Sequence, residues 1–263
     1  MANIIRSPKS GSDWGGNELM AYNITIIPKP PQQFFPQGGD MPLTDLDPAL
    51  VTATLDADDV SDDTYRFLSY LDIAINTSQE TAIGDFAREV LRTLGFEERG
   101  LVLRNRHIFP LTICGDSKAT QIDVCLSDRW SLVLLVLQGE RTIFSDPEAQ
   151  VIAEAIAVYQ HNNMKRQRVG VLPLDAMTVP CITMVGTRPT FYLVPVTKAL
   201  SDTVINGQLP SVCTEVFRCV TVAGDNRRSS EGMENPEYRR VAFQHFLAFK
   251  ALAKSHWEKF LAD

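Results

Sequence analysis

Positions 131–138 read Ser-Leu-Val-Leu-Leu-Val-Leu-Gln, with no polar residue from Leu132 to Leu137. A strand with one wet face alternates between apolar and polar side chains. A run that is apolar at both parities belongs to a strand covered on both sides. The run is far shorter than the roughly 20 residues needed to cross a bilayer. It therefore demands layers on both faces of a sheet, and predicts an α/β protein built around a central strand at 131–138.

The flanking segments supply those layers. Ser61 is placed to cap a helix whose stripe is Phe67, Leu68, Leu71, Ala74 and Ile75. Thr77 and Glu80 form a capping-box pattern before a second helix with Ala82, Ile83, Phe86, Val90, Leu91 and Leu94 on one face, closed by Gly95. Two short strands are expected at 101–106 and 111–114, with a turn at Gly115-Asp116-Ser117. At 121–126 the residues alternate, Ile122, Val124 and Leu126 on one face against Gln121, Asp123 and Cys125 on the other. After the central strand, Asp146 caps a helix with Pro147 at its first position, running to Tyr159. Strands at 181–185 and 191–196, a late strand at 212–222 and a long helix at 236–261 complete the order.

Positions 1–60 read differently. Pro28, Pro30, Pro31, Pro36, Pro42 and Pro48, among Gly15, Gly16, Gly38 and Gly39, break every helical pattern. Trp14, Tyr22, Ile24, Phe34 and Phe35 give the stretch too much apolar surface for a free tail, so it is expected to pack as an extended arm. The expected organisation is this arm at 1–60 and a single α/β domain at 61–263. The acidic cluster at Asp56, Asp58, Asp59, Asp62 and Asp63 favours the start of the next helix.

Of the 263 residues, 25 are Lys or Arg and 32 are Asp or Glu, a net charge of −7. Duplex binding draws its affinity from cations that displace counterions, so this balance argues against a nucleic-acid partner. No apolar leader opens the sequence, and five cysteines without a CxxC pair fit reduced thiols; a cytoplasmic protein with no membrane partner is expected. The sequence does not indicate an oligomeric state. The usual nucleotide, phosphate, serine-hydrolase and zinc motifs are absent, and His107, His161, His245 and His256 show no ligand spacing.

One constellation remains. A helix, two strands, an Asp-bearing strand, a central strand and a helix follow in order. Within them stand Ile122-Asp123-Val124, then Leu134-Leu135-Val136-Leu137-Gln138-Gly139-Glu140-Arg141, then Asp146-Pro147-Glu148-Ala149-Gln150, and later Ile182-Thr183-Met184-Val185-Gly186. This stretch, about 77–196, resembles the PD-(D/E)XK nuclease fold, and more narrowly the branch of it found in mushroom proteins. The resemblance implies an αβββαβ restriction-endonuclease-like core, a mixed central sheet flanked by helices. To this core the arm and a C-terminal strand and helix at 210–263 are added.

In that family an acid on one strand holds magnesium, and an acid and a lysine two apart on the next strand complete the site. Asp123 matches the first acid. Gly139 and Arg141 stand where the pair belongs, and neither fits: glycine has no ligand, and arginine keeps its proton at any working pH. Glu140 reaches the site only through a bulge at Gly139. Glu89 on the second helix and Gln150 on the third are further positions at which the family supplies polar groups, and Glu154, one helical turn beyond Gln150, could reach the cleft with it.

The expectation is a catalytically lapsed fold retained for binding a small aromatic or anionic ligand, in a pigment or carrier role. Asp123, Gln138, Glu140, Arg141 and Gln150 would form the polar end of its cleft. The alternative is a magnesium-dependent DNase or RNase with Asp123 and Glu140 as metal ligands and catalytic groups. A storage or structural protein without ligand is the third.

Overall fold

The computed structural model describes residues 6–77, 79, 81–140, 146–223 and 232–261. After a single 3-10 turn at Gly11–Asp13, the elements are α1 (Gly16–Ala21), β1 (Ile24–Pro28), α2 (Pro31–Phe34), α3 (Pro48–Thr52), α4 (Asp62–Asn76), α5 (Thr81–Thr93), β2 (Leu101–Ile113), β3 (Asp116–Asp128), β4 (Val133–Glu140), α6 (Pro147–Arg168), β5 (Ala176–Val185), β6 (Arg188–Thr197), α7 (Lys198–Asn206), β7 (Thr214–Val220) and α8 (Pro236–Leu261). The seven strands form one mixed sheet in the order β1-β7-β6-β5-β4-β3-β2. The β1–β7 and β4–β5 pairs are parallel and the other four antiparallel.

Local signals set the helix ends. Ser61 Oγ accepts the Thr64 N–H at the start of α4, and Asp146 accepts the Ala149 N–H at the start of α6, with Pro147 in the first turn. Gly95 (φ +71°) closes α5, letting the Phe96 N–H reach back to the Leu91 carbonyl. Thr77 accepts the Gln79 N–H, while its expected capping partner Glu80 lies outside the described residues. Helix α6 runs nine residues past the expected end at Tyr159, to Arg168, because its second half also has a face to bury: His161, Asn162 and Arg166 are all covered.

Two cores lie on opposite sides of the sheet. One joins α2, α3, α4, α5 and α8; the other joins α1, α6 and α7. The arm serves both. Trp14, Leu19 and Tyr22 belong to the α6 side, Phe34, Phe35, Leu50 and Val51 to the α8 side, and β1 between them forms one edge of the sheet.

Strand β4 is the central strand the sequence requires, buried at every position from Val133 to Glu140. Val133 and Val136 face the α6 core, whereas Leu134, Leu135 and Leu137 face the α5 core. Two consecutive leucines share a side because a register shift against β3 falls between Leu126 and Ser127.

The two short strands expected at 101–106 and 111–114 are one 13-residue strand, β2, which forms a long hairpin with β3. Ile122, Val124 and Leu126 do share one face of β3, as alternation requires. The ribbon nevertheless turns between 122 and 124: Ile122 enters the α6 core, and Val124 and Leu126 enter the α5 core. Leu101 and Leu103 lie on the α5 side, but Phe109, Leu111 and Ile113 lie on the α6 side. Arg106, with φ +48°, marks the turning point on β2. Long two-stranded ribbons twist more than wide sheets, and β3 is free to do so because its pairing with β4 runs no further than Val124↔Leu137.

Strand β2 is the other edge, and some of its outward backbone groups are occupied. Glu97 accepts the Leu103 N–H, Pro110 has none, and the Gln160 amide both accepts the Thr112 N–H and donates to the Thr112 carbonyl. Such blocking discourages pairing with a foreign strand.

Candidate functional site at the β3–β4 notch

Beyond Val124↔Leu137 the two strands part. β3 continues with β2, and β4 continues with β5 as far as Glu140↔Val185. Asp123 stands at the fork. Its carboxylate accepts the Gly139 N–H at 2.9 Å, replacing the ladder bond lost when the strands separate. Asp123 also lies against the first turn of α5: a Cβ built on Gly84 would be 3.5 Å from that of Asp123.

Gly139 is a glycine for a steric reason. A Cβ there would lie 3.1 Å from Ile83 Cγ2, 3.2 Å from the Gly84 nitrogen and 3.4 Å from Asp123 Oδ2. The backbone of β4 thus approaches α5 so closely that a Cβ would fit only if its neighbours gave way by a few tenths of an ångström. No bulge forms at Gly139, since β4 pairs with β5 in unbroken register through Glu140. Glu140 stays on the α6 side, where the Gln138 amide donates to it at 3.5 Å. Asp123 and Glu140 therefore approach the notch from different sides of the sheet. Arg141 lies outside the described residues.

Beneath the first turns of α6 the polar groups converge. Gln150 donates to Glu154 Oε1 at 3.1 Å, and Gln138, Glu140, Gln150 and Glu154 are all buried. Burial pushes the Glu154 carboxyl well above the usual carboxylate range, and the charges of Asp123 and Glu140 push the same way. Two buried oxygens, Gln138 Oε1 and Glu154 Oε2, have no hydrogen-bond partner among the described residues. The one-turn spacing of Gln150 and Glu154 marks both in the sequence as able to reach the cleft; the full burial of Glu154 was missed.

On the α5 side, Thr81, Gly84, Asp85, Asn105, Arg106 and Asp123 line a hollow of about 10 Å³, room for about one water molecule. Asp85 was also missed. The acid weighed on α5 was Glu89, and it is turned away: Arg66 and Arg92 both donate to it, at 3.0 and 2.9 Å. Burial pushes the Glu89 carboxyl up, but these two guanidinium groups outweigh it and hold the group below its ordinary value. Among the described residues, no group of three or more His, Cys, Asp or Glu side chains is arranged to hold a metal ion.

Farther along the α6 face, the Tyr192 hydroxyl and Arg218 both donate to Glu148, at 3.0 and 2.7 Å, tying the start of α6 to β6 and β7. A groove of about 360 Å³ near the other end of α6, bounded also by α7, has its polar groups largely engaged. Tyr159 donates to the Leu174 carbonyl, Asn163 both donates to and accepts from Leu174, and Lys198 pairs with Asp202.

Fold and site together define an α/β protein with a seven-stranded mixed sheet and a carboxylate- and amide-lined notch between its two layers. No protein-family model matches the chain, and no curated protein matches it. Among the described residues, no helix is long and apolar enough to cross a membrane.

Proposed function

We propose that this chain is a binding protein of PD-(D/E)XK-like architecture whose catalytic set has lapsed. It holds the water-sized head group of a small ligand at the β3–β4 notch. The reading is supported by the order α5-β2-β3-β4-α6-β5, which follows the αβββαβ order of that fold. The observation that carries it is the Gly139 contact. The strand position beside Asp123 has no side chain to offer a metal or substrate and is tightly packed against α5, and Asp123 is engaged by the Gly139 N–H.

The ligand's chemistry follows from the groups around the notch. On the α5 side, Asp85 and Asp123 accept hydrogen bonds beside a hollow that admits about one water-sized group, so the complementary head group is a donor such as an ammonium or hydroxyl. The anionic reading rested on Arg141 alone. A magnesium-dependent DNase or RNase would need Asp123 and Glu140 to share one ion. Their approach from different sides of the sheet disfavours that arrangement, and no hydrolytic step is assigned to them.

The test is a thermal-shift series with tyramine (an aromatic ammonium), 4-hydroxybenzoate (an aromatic anion) and magnesium chloride, beside plasmid and RNA cleavage assays. Tyramine is expected to raise Tm, with the shift lost in Asp123→Asn. A shift with 4-hydroxybenzoate alone overturns the donor reading. Magnesium-dependent cleavage that Asp123→Asn abolishes overturns the lapsed-enzyme reading.

A further inference from the structure

A second surface, unrelated to the notch, lies at the opposite end of β4. The β3–β4 turn and the loop after α6 meet there. Ser131 O lies 3.2 Å from His161 Nε2, Asn162 bonds both the N–H and the carbonyl of Val133, and Arg166 donates to the Leu172 carbonyl. Leu132, Arg166 and Leu174 line one small hollow between the two segments.

From this end project Trp130 (67% exposed), Val169 (74%) and Leu172 (82%), with Val171 and Val102 partly exposed; Val102 pairs with Ser127 just before the turn. So many large apolar side chains at one end exceed the scatter of single exposed residues on an ordinary surface. Arg129, Lys165 and Arg168 stand among them, and the Arg129 guanidinium stacks on the Trp130 ring at 4.8 Å. Among the described residues, none of these three cations takes part in an ion pair.

Neighbouring acids are engaged. Asp128 is buried and accepts the Trp130 and Leu132 N–H groups, Glu97 accepts the Leu103 N–H, and Glu98 pairs with Lys250 and Lys254. A chain of net charge −7 thus presents an apolar tip beside three cations that take part in no ion pair among the described residues.

We propose that this tip docks onto the surface of an anionic lipid bilayer. Trp130, Val169 and Leu172 enter the headgroup–acyl boundary, while Arg129, Lys165 and Arg168 meet lipid phosphates and carboxylates. Trp at the interface, aliphatic side chains below it and Lys or Arg beside them is the chemistry of surface attachment, which requires no spanning segment. The absence of a membrane partner expected from the sequence rested on the lack of a spanning run, a criterion that does not address such a tip.

The three tryptophans make the test direct, because Trp14 and Trp257 are buried and Trp130 is exposed. The full chain is titrated with phosphatidylcholine vesicles, with and without 30% phosphatidylserine, following tryptophan emission and co-sedimentation. A blue shift confined to the anionic vesicles is expected, with partitioning weakened about tenfold or more when salt rises from 50 to 500 mM. Val169→Ser/Leu172→Ser should lower partitioning about tenfold or more while leaving the far-ultraviolet circular dichroism and Tm unchanged. Equal binding to both vesicles, or full binding by the double variant, overturns the proposal. So does a concentration-dependent dimer that the double variant abolishes in a protein that ignores vesicles, since the tip then belongs to a second copy.

Discussion

Glu154→Gln is expected to stabilise this protein, increasingly so as pH rises. Glu154 is fully buried, its Oε1 accepts one hydrogen bond from Gln150, and its Oε2 has no partner among the described residues. Burial, aided by the Asp123 and Glu140 charges, raises its pKa well above the ordinary 4.5. The folded state therefore keeps a proton that the unfolded chain releases. For an acid shifted upward, the neutral form's contribution is complete below about pH 4.5 and declines as pH climbs towards the folded value. The slope is up to about 1.4 kcal/mol per pH unit for one proton. Glutamine keeps the acceptor for Gln150, removes the ionisation, and places an N–H₂ among acceptors that include the unpartnered Gln138 Oε1. Urea unfolding of both proteins at pH 5, 6, 7 and 8 should show a gap that opens from near zero in favour of the variant. Each kcal/mol corresponds to roughly 2–4 °C of Tm in a chain of this size. A gap independent of pH refutes the reasoning. A variant that loses ground as pH rises refutes it more sharply, because Glu154 would then be a stabilised carboxylate paired with a bound cation.

Three further outcomes follow from the same packing. Leu135→Ala should cost about 2–4 kcal/mol and Val136→Ala somewhat less, measured by denaturant unfolding, because both are fully buried in the central strand, one towards each core. Asp123→Ala should cost about 1–3 kcal/mol, since it strands the Gly139 N–H, and Asp123→Asn less, since an amide oxygen still accepts. His161 and His245 are pushed down to about 4 by burial, so the folded state refuses protons that the unfolded chain takes up near 6.5. Stability should fall as pH drops from about 6.5 to 4, by on the order of 3 kcal/mol per histidine. His245→Phe should flatten that acid limb.

How much of this the sequence discloses depends on whether the deciding interaction is local. The caps at Ser61 and Asp146, the glycine stop at Gly95 and the doubly apolar run at 131–138 each act within a few residues, and each is visible in the chain. The bulge that turns Leu134 and Leu135 to the same core is not, because it depends on the partner strand. Helix α7 was missed because its nine residues carry only Leu200 and Val204 as large buried anchors. Cys213 and Cys219 lie six apart, a spacing that would put both on one face of a regular strand; Cys219 is buried, but Cys213 is exposed and precedes β7. At the site, Asp123, Gln138, Glu140 and Gln150 were chosen from order and spacing. Glu154 follows from its one-turn spacing to Gln150, whereas Asp85 becomes visible only when α5 is laid against the sheet.

The turn of the β2–β3 ribbon explains why the notch lies where it does. Alternation along β3 is intact, so nothing in its pattern reveals that Ile122 and Val124 serve different cores. Once the ribbon turns away, β4 is left with a Gly139 N–H that β3 no longer answers, in a place too covered for water to satisfy it cheaply. The Asp123 side chain supplies the acceptor, and the missing side chain at Gly139 lets α5 close over the pair. The residue that resembles a catalytic acid therefore has a structural task first. Any ligand that recruits Asp123 must either share the carboxylate with the Gly139 amide or break that bond and loosen the contact between β4 and α5. Binding at the notch should consequently change amide hydrogen exchange at Gly139 and in the first turn of α5 together. Slowed exchange at both is the result of sharing, and faster exchange at both is the result of displacement. A ligand that alters neither is bound somewhere other than the notch.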